Sequence, residues 1–452
     1  MSAPTRKKPR AGSSGRGHKS NARDTALRVL QAVLLKGRSL ASAGTSMGEE
    51  LEARDRAHAM ELVYGVLRWR FRLELLLAKL LSRPLRSKDR DIELVLLLAL
   101  YSLVELSTPD YAVVNEAVAQ TRRSGKKWAA SLVNAVLRNF IRQREPLLAS
   151  LHDDRIARYA HPGWIIDALM CDWPDAAQQI LEANNQRPPM WLRINTARVG
   201  VADYVRLLEA QQQTVSVHAL VASAIKLDMP MDVSKLPGFS EGLVSVQDAS
   251  AQLAAQLFAA DGKERVLDVC AAPGGKTCNV LEMAPGIDMT AVELDPQRMQ
   301  RVQQNLDRLG LQARLVVADA ATDSWWDGRP FDRILVDAPC SASGVIRRHP
   351  DIKSLRQQDD LVALCELQQR ILLQSWQMLK PGGRLLYVTC SVLKQENEQQ
   401  MERLLCAHAD AAEMAIEADW GHACIHGRQL LPGEMDGDGF YFACLKKQSG
   451  DP

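Results

Sequence analysis

From about Gly238 to the end of the chain, short apolar runs of strand character alternate with helical segments. They read RVLDVC, a helix, MTAVE, a helix, ARLVVAD, FDRILVD, a long helix through QQRILLQSWQMLK, then GRLLYVTC, a further helix, and FYFACLKK. This alternation admits few folds. Repeated strand–helix units build a doubly wound, mostly parallel, Rossmann-like α/β sheet with helices on both faces. Ligands of such sheets bind outside the carboxyl ends of the strands. Asp268, Glu293, Asp319, Asp337 and Cys390 all fall at those ends.

The remaining chain has a different texture, and at 452 residues there is room for more than one core. We place a basic tail at residues 1–21, an all-α domain at 22–148, a small α/β domain at 149–237 and the Rossmann-like domain at 238–449. The helical assignment rests on Ala26, Val29, Leu30 and Val33 at helix spacing and on similar patterns through Arg144. LVLLLALYSLV, from Leu94 to Val104, is too short to span a bilayer and predicts a buried helix. In the small domain, PPMWLRINTARV reads as a strand. Arg193 and Asn195 alternate outward on it, either as RNA contacts or as the polar face of a half-buried strand.

The formal net charge is only +2, which names no partner for the whole chain. Its distribution says more. Arg6, Lys7, Lys8, Arg10, Arg16, Lys19, Arg23 and Arg28 crowd the start of a segment with no apolar centre, which is not a secretory signal. The segment reads either as a solvated tail or as an arm for RNA phosphates. Nine scattered cysteines with no CxxC pair argue against a disulfide framework and fit a reducing cytoplasm. His422, Cys424 and His426 form the one metal-like cluster, which reads better as a surface loop; no metal is expected.

The first strand leads into CAAPGGKT, Cys270 to Thr277. A phosphate-binding Walker loop would need glycine where Cys270 stands, so nucleoside triphosphate hydrolysis is not indicated. The turn could instead hold a cofactor against backbone N–H groups through Cys270, Ala271, Ala272, Pro273, Gly274, Gly275 and Lys276. Glu293, roughly 20 residues on, is placed to accept both hydroxyl protons of a ribose. Those two features fit a dinucleotide or S-adenosylmethionine; Asp319, placed to receive an adenine amino group, favours the latter. Gln247 and Asp248 either approach the cofactor or cap the next helix. Cys340, in DAPCSASG, and Cys390, in TCS, each follow an apolar run. Either could be an ordinary buried thiol taken alone, as Cys171, Cys278, Cys365, Cys406 and Cys444 are read to be.

Two resemblances narrow this reading. PDYAVVNEAVAQTRRSGKKWAASLVNAVLRNF and YGVLR resemble the RNA-binding all-α fold of the antitermination factor NusB, which implies RNA binding by a face carrying Arg122, Arg123, Lys126, Lys127 and Arg138. CAAPGGKT, DAPCSASG, PGGRLLYVTCS and DGFYFA together resemble the RNA 5-methylcytosine methyltransferases of the RsmB (Sun or Fmu) family, over essentially the whole chain beyond the tail. The resemblance implies a class I S-adenosylmethionine-dependent methyltransferase whose target is cytosine 967 of 16S rRNA. Cys390 would add to C6 of the base, Cys340 would assist release, and Asp337 would hold or protonate N3 and lie near the cofactor. Lys276 would pair with that acid or lower a thiol pKa.

The expected substrate is 16S rRNA or a partly assembled small ribosomal subunit, met in the cytoplasm by a monomer, with no membrane association. A tRNA cytosine methyltransferase is a second reading. A non-catalytic RNA-binding assembly factor is a third, although it would be expected to have lost a cysteine or the glycine loop.

Overall fold

The computed structural model describes residues 21–44 and 51–449; the basic tail read at residues 1–21 lies, but for Asn21, outside the described residues. The chain divides into two compact units. One comprises residues up to Val66 together with Leu76–Leu147, the other Leu67–Leu75 together with the chain from Leu148 onward.

The first unit is all-α. Helix α1 (Ala22–Leu34) is capped by Asn21, whose side chain accepts from the Asp24 N–H, and buries Ala26, Val29, Leu30 and Val33 as one stripe. After a short helical turn at Leu40–Gly44 come α2 (Ala53–Leu80), whose Leu67–Leu75 stretch is assigned to the other unit, α3 (Arg90–Glu105), α4 (Asp110–Arg123) and α5 (Ala129–Arg142). Helix α3 is buried nearly all round, from Ile92 to Leu103, as its apolar run predicts. The basic face is thinner than the sequence suggests. Arg123 donates to Asp24 and Glu116, and Lys126 donates to Asp89 and Asp91, so two of its five cations serve the unit's own ion pairs.

In the second unit, α6 (Gly163–Asp172) and α7 (Ala177–Ala183) precede β1 (Met190–Ile194); α8 (Val201–Ala210), β2 (Val215–Val217), β3 (Ala224–Leu227) and β4 (Val244–Val246) follow it. The strands form an antiparallel sheet in the order β2-β3-β1-β4. Strand β4 lies beyond residue 237, where the sequence suggested that the Rossmann-like domain starts. It nevertheless pairs with β1, Arg193 opposite Ser245. One face of this sheet packs Leu192 and Ile194 on Tyr204 and Leu208 of α8. The other is covered as well, since Trp191 joins the core of the larger sheet.

That larger sheet contains β5 (Arg265–Val269), β6 (Asp288–Glu293), β7 (Arg314–Val317), β8 (Phe331–Asp337), β9 (Leu379–Thr389), β10 (Ala411–Met414), β11 (His422–Ala423), β12 (Arg428–Leu430) and β13 (Phe440–Lys447). Its order is β11-β12-β13-β9-β8-β5-β6-β7, with β10 beside β13. Strands β9, β8, β5, β6 and β7 run parallel, and β13 lies antiparallel to β9. Helices cover both faces, which is why the central strands are continuously apolar. On one face α9 (Ala249–Phe258), α10 (Gly275–Met283) and α11 (Pro296–Leu309) pack Leu253, Val280 and Val302 against Val266, Leu335 and Val388. On the other, α12 (Asp360–Met378) and α13 (Glu398–Ala407) pack Ile371, Trp376 and Leu404 against Leu267, Ile334 and Tyr387. The chain reverses its direction of travel across the sheet between β5 and β8, which makes their carboxyl ends the natural ligand crevice.

Candidate functional site

The β5–α10 turn is held by its surroundings at almost every peptide. Cys270 adopts a left-handed φ of 62°, and the Ala271 N–H donates to the Val292 carbonyl at 3.0 Å. Gly274 has φ 93°, and a Cβ there would stand 3.2 Å from the Val302 Cα. Only glycine meets both demands without strain. Three carbonyls of the turn are each taken by a distant side chain: Ala272 by Arg298 at 2.9 Å, Pro273 by Asn305 at 2.9 Å and Gly275 by Arg193 at 2.8 Å.

Arg193 corrects the sequence reading. It is 2% exposed rather than outward-facing, and makes a two-pronged pair with Glu282 of α10 at 2.8 and 2.9 Å. It also reaches Gln247 Oε1 at 2.5 Å. Asn195 is likewise buried and donates to the Gly242 carbonyl. Strand alternation identified the face on which they sit but not what covers it. Asp248 caps α9 by accepting from the Ser250 N–H. It also meets Arg348, which bridges to Asp438 of the DGFYFA segment.

The acids at the strand ends surround this turn. Asp268 is fully enclosed; Thr277 donates to its Oδ2 at 2.5 Å, and its Oδ1 has no partner among the described residues. Burial, partly countered by Thr277, raises its pKa to about 7. Glu293 ends β6 and accepts from Ala272 N, Asp295 N and Arg298 at 3.2–3.3 Å, so its buried carboxylate makes only long bonds. Asp319 lies two residues past β7, exposed, and accepts from the Ala321 N–H. An unpaired carboxylate oxygen, a long-bonded second carboxylate and a turn with room for backbone but not for a Cβ fit S-adenosylmethionine, with Asp319 at the open end.

Beside the turn the remaining site residues converge. Lys276 Nζ donates to Asp337 Oδ2 at 2.7 Å and stands 5.2 Å from the Phe440 ring centroid. Burial works against its charge, but Asp337, the Cys390 thiol and Asp268 outweigh that and hold its pKa above the ordinary lysine value. Cys340 Sγ lies 3.5 Å from Cys390 Sγ. Cys340 is buried and Cys390 is half-buried. The hydrogen bond to Cys390, together with burial, pushes the Cys340 thiol well above its usual range and keeps its proton in place. The pair can therefore present one reachable sulfur with a thiol donor on one side and an ammonium nearby.

Sequence reasoning missed what holds these thiols. Ser341 and Ser391, the residues after the two cysteines, both donate to the fully buried Glu396, at 2.5 and 2.6 Å to Oε2. Its Oε1 accepts from Ser341 N at 2.7 Å and from Gln368 Nε2 at 3.2 Å. Thr389 donates to Asn397 Oδ1, and Asn397 donates to the Ser391 carbonyl. Gly344 donates to the Cys390 carbonyl at 2.9 Å, where a Cβ would collide with the Gly439 carbonyl at 2.3 Å. DAPCSASG, TCS and DGFYFA are thus one packed unit, with QEN of residues 395–397 as its buried anchor.

Elsewhere, His422 and His426 engage different carboxylates, Glu434 and Glu413. Among the described residues no cluster of three or more His, Cys, Asp or Glu could hold a metal, and no helix is long and apolar enough to cross a membrane. Cys171 and Cys406, read as structural, are exposed, whereas Cys278 and Cys365 are buried.

Comparison with known proteins follows the same division of the chain. Residues 20–142 match the NusB family, 161–234 the ferredoxin-like domain of RsmF/B-like methyltransferases, and 255–446 the 16S rRNA methyltransferase RsmB/F family. Ribosomal RNA small subunit methyltransferase B of Vibrio cholerae is 45% identical over 95% of this chain and 98% of its own. The protein of that name from Pseudomonas syringae pv. tomato is 45% identical over 94% and 97%. Among solved structures, PH0851 has a TM-score of 0.79 at 22% identity, covering 94% of this chain and 98% of its own. NSun6 from Pyrococcus horikoshii with SFG has a TM-score of 0.58 at 18% identity, covering 64% and 98%. Both share the fold. With S-adenosylmethionine as the methyl donor of the family, the packed cysteine motifs, the cofactor turn and these matches agree that the chain belongs to the RsmB/F family of rRNA methyltransferases.

Proposed function

We propose that this protein methylates C5 of a cytosine in 16S rRNA through a covalent cysteine–C6 adduct, with cytosine 967, the target implied by the family, as the site. The observation that carries the proposal is the contact of two inequivalent thiols beside the Lys276–Asp337 pair. C5 of cytosine is a poor nucleophile until electron density is pushed into the ring. Cys390, the more accessible sulfur, adds to C6, while Asp337 holds or protonates N3 and draws the negative charge of the ring towards N3. Lys276 keeps Asp337 oriented and offers a positive charge to the attacking thiolate. S-adenosylmethionine, when bound, supplies an electrophilic methyl group.

The turn from Cys270 to Lys276, with Glu293, Asp319 and Asp337, binds and orients this donor against C5. After transfer the C5 proton leaves to a base, the C6–S bond electrons return to Cys390, and Cys340, in contact with that sulfur, assists the release. A base in folded RNA must leave its stack to reach these groups. The substrate is free rRNA or a partly assembled small subunit in the cytoplasm, taken by the protein as a monomer. The test is incubation with isotopically labelled S-adenosylmethionine and a mixture of unmethylated small-subunit rRNA and tRNA, the two separated before nucleoside mass spectrometry. Labelled 5-methylcytidine at a single site is expected. Label only in tRNA, or in a nucleoside other than 5-methylcytidine, would contradict the proposal.

A further inference from the structure

The all-α unit carries a groove of about 850 Å³ between the chain that leaves α2 and the flank of α5. Trp128, at the start of α5, lines it and is 55% exposed, an unusual position for an indole in a soluble unit. Arg83, Arg86, Lys88 and Arg142 line the same groove, and all four are exposed. None of them forms an ion pair among the described residues. Arg142 donates to the neutral Asn139 Oδ1 at 2.7 Å. The one acid in the groove, Asp89, is already paired with Lys126 at 3.0 Å. The groove therefore has a rim of uncompensated positive charge around an open aromatic face. Its cations are not those of the basic face read from the sequence.

Each part of this arrangement selects its occupant. Uncompensated cations recruit a polyanion. An exposed indole offers a flat face on which an unstacked nucleobase can stack. Duplex RNA offers phosphates but keeps its bases stacked, and an acidic peptide offers carboxylates but no flat face. We propose that the groove binds a single-stranded RNA segment, with one base stacked on Trp128 and adjoining phosphates on Arg83, Arg86, Lys88 and Arg142. The inference rests on RNA being the substrate, and it adds a second RNA contact distinct from the strand-end site.

The test is anisotropy of a labelled single-stranded oligouridylate with the full chain over a salt series, comparing wild type, Trp128→Ala, Trp128→Phe and the pair Arg83→Gln/Arg86→Gln. Because Trp128 is more than half exposed, its variants should melt as wild type does. Trp128→Ala should weaken binding by about 5- to 100-fold and Trp128→Phe should restore most of it. Neutralising the two arginines should flatten the log–log salt slope by about 1.4, since each single-strand phosphate contact contributes about 0.7. Unchanged affinity in Trp128→Ala would overturn the proposal, as would absence of binding by wild type. Displacement by polyglutamate or by duplex RNA as readily as by single-stranded RNA would also overturn it, identifying a site for acidic peptides or for polyanions at large. Methyl transfer to rRNA by the wild-type chain is read separately, so failure of the enzymatic assignment would show there and not in the Trp128 series.

Discussion

Glu396 offers the sharpest test of how the two thiols are held. Replacing it with alanine removes both oxygens at once. Ser341 N and one of the two Gln368 Nε2 protons, each bonded to Oε1, would be left as buried donors without partners, while the other Gln368 proton keeps the Pro339 carbonyl at 2.9 Å. Each such group costs about 1–3 kcal/mol, and the cavity adds to this, so a loss of about 3–6 kcal/mol is expected. Glutamine behaves differently. Its carbonyl can replace Oε1, and its amide can donate to the Ser341 and Ser391 hydroxyls, which rotate to accept. All four contacts survive as neutral bonds, and the loss should stay below about 2 kcal/mol.

Chemical denaturation measures the two stabilities. Because the cysteines immediately precede the serines tied to Glu396, methyl transfer should respond even when the variant is folded. Below its melting range, kcat for Glu396→Ala should fall by on the order of 10-fold or more, with the affinity for S-adenosylmethionine unchanged, whereas Glu396→Gln, which keeps the four contacts, should retain most of it. A merely structural carboxylate would leave kcat of the folded fraction intact. Wild-type stability in Glu396→Ala, or wild-type kcat in its folded fraction, would refute the positioning argument.

Two further perturbations follow from buried charge. The Asp268 pKa is raised to about 7 from an ordinary 3.8, so its contribution to stability is complete below the ordinary value and is lost as pH rises through about 7. Asp268→Asn removes this dependence. Its stability relative to wild type should grow across that range, by up to about 4 kcal/mol at alkaline pH, while cofactor affinity falls; melts at several pH values with calorimetry check both. Arg193→Met would strand Glu282, whose side chain is 5% exposed, and should cost about 3–5 kcal/mol. Arg193→Met/Glu282→Leu should recover most of that loss, which denaturation of the single and double variants would show.

The legible part of this protein was its periodicity and its strand ends. Apolar runs of the right length, separated by helical patterns, identify a parallel sheet without any knowledge of what packs on it. Residues at the ends of such runs share one rim, so Asp268, Glu293, Asp319, Asp337 and Cys390 are grouped by the sequence itself, whereas Lys276 joins them only through the family resemblance. What could not be read was burial set by a distant element. Arg193 looked solvent-facing because alternation reports a side of the strand, whereas Glu282 of its covering helix, α10, lies 89 residues later. Nothing in KQENE marks Glu396 as buried, since its burial depends on three segments meeting over it. The motif-to-motif spacing carried one usable hint, a polar QEN immediately after a thiol turn. The Trp128 groove left no periodic signal at all, since it forms where a connecting segment passes a helix flank.

The central claim is that the two touching thiols divide the chemistry, Cys390 making the bond to C6 and Cys340 helping to break it. Its most direct measurement is incubation of Cys340→Ala and Cys390→Ala with S-adenosylmethionine and unmethylated small-subunit rRNA, followed by a denaturing gel for protein-linked RNA. The account predicts a covalent adduct that accumulates in Cys340→Ala and is absent in Cys390→Ala. An adduct found only in Cys390→Ala would reverse the two roles and contradict the account.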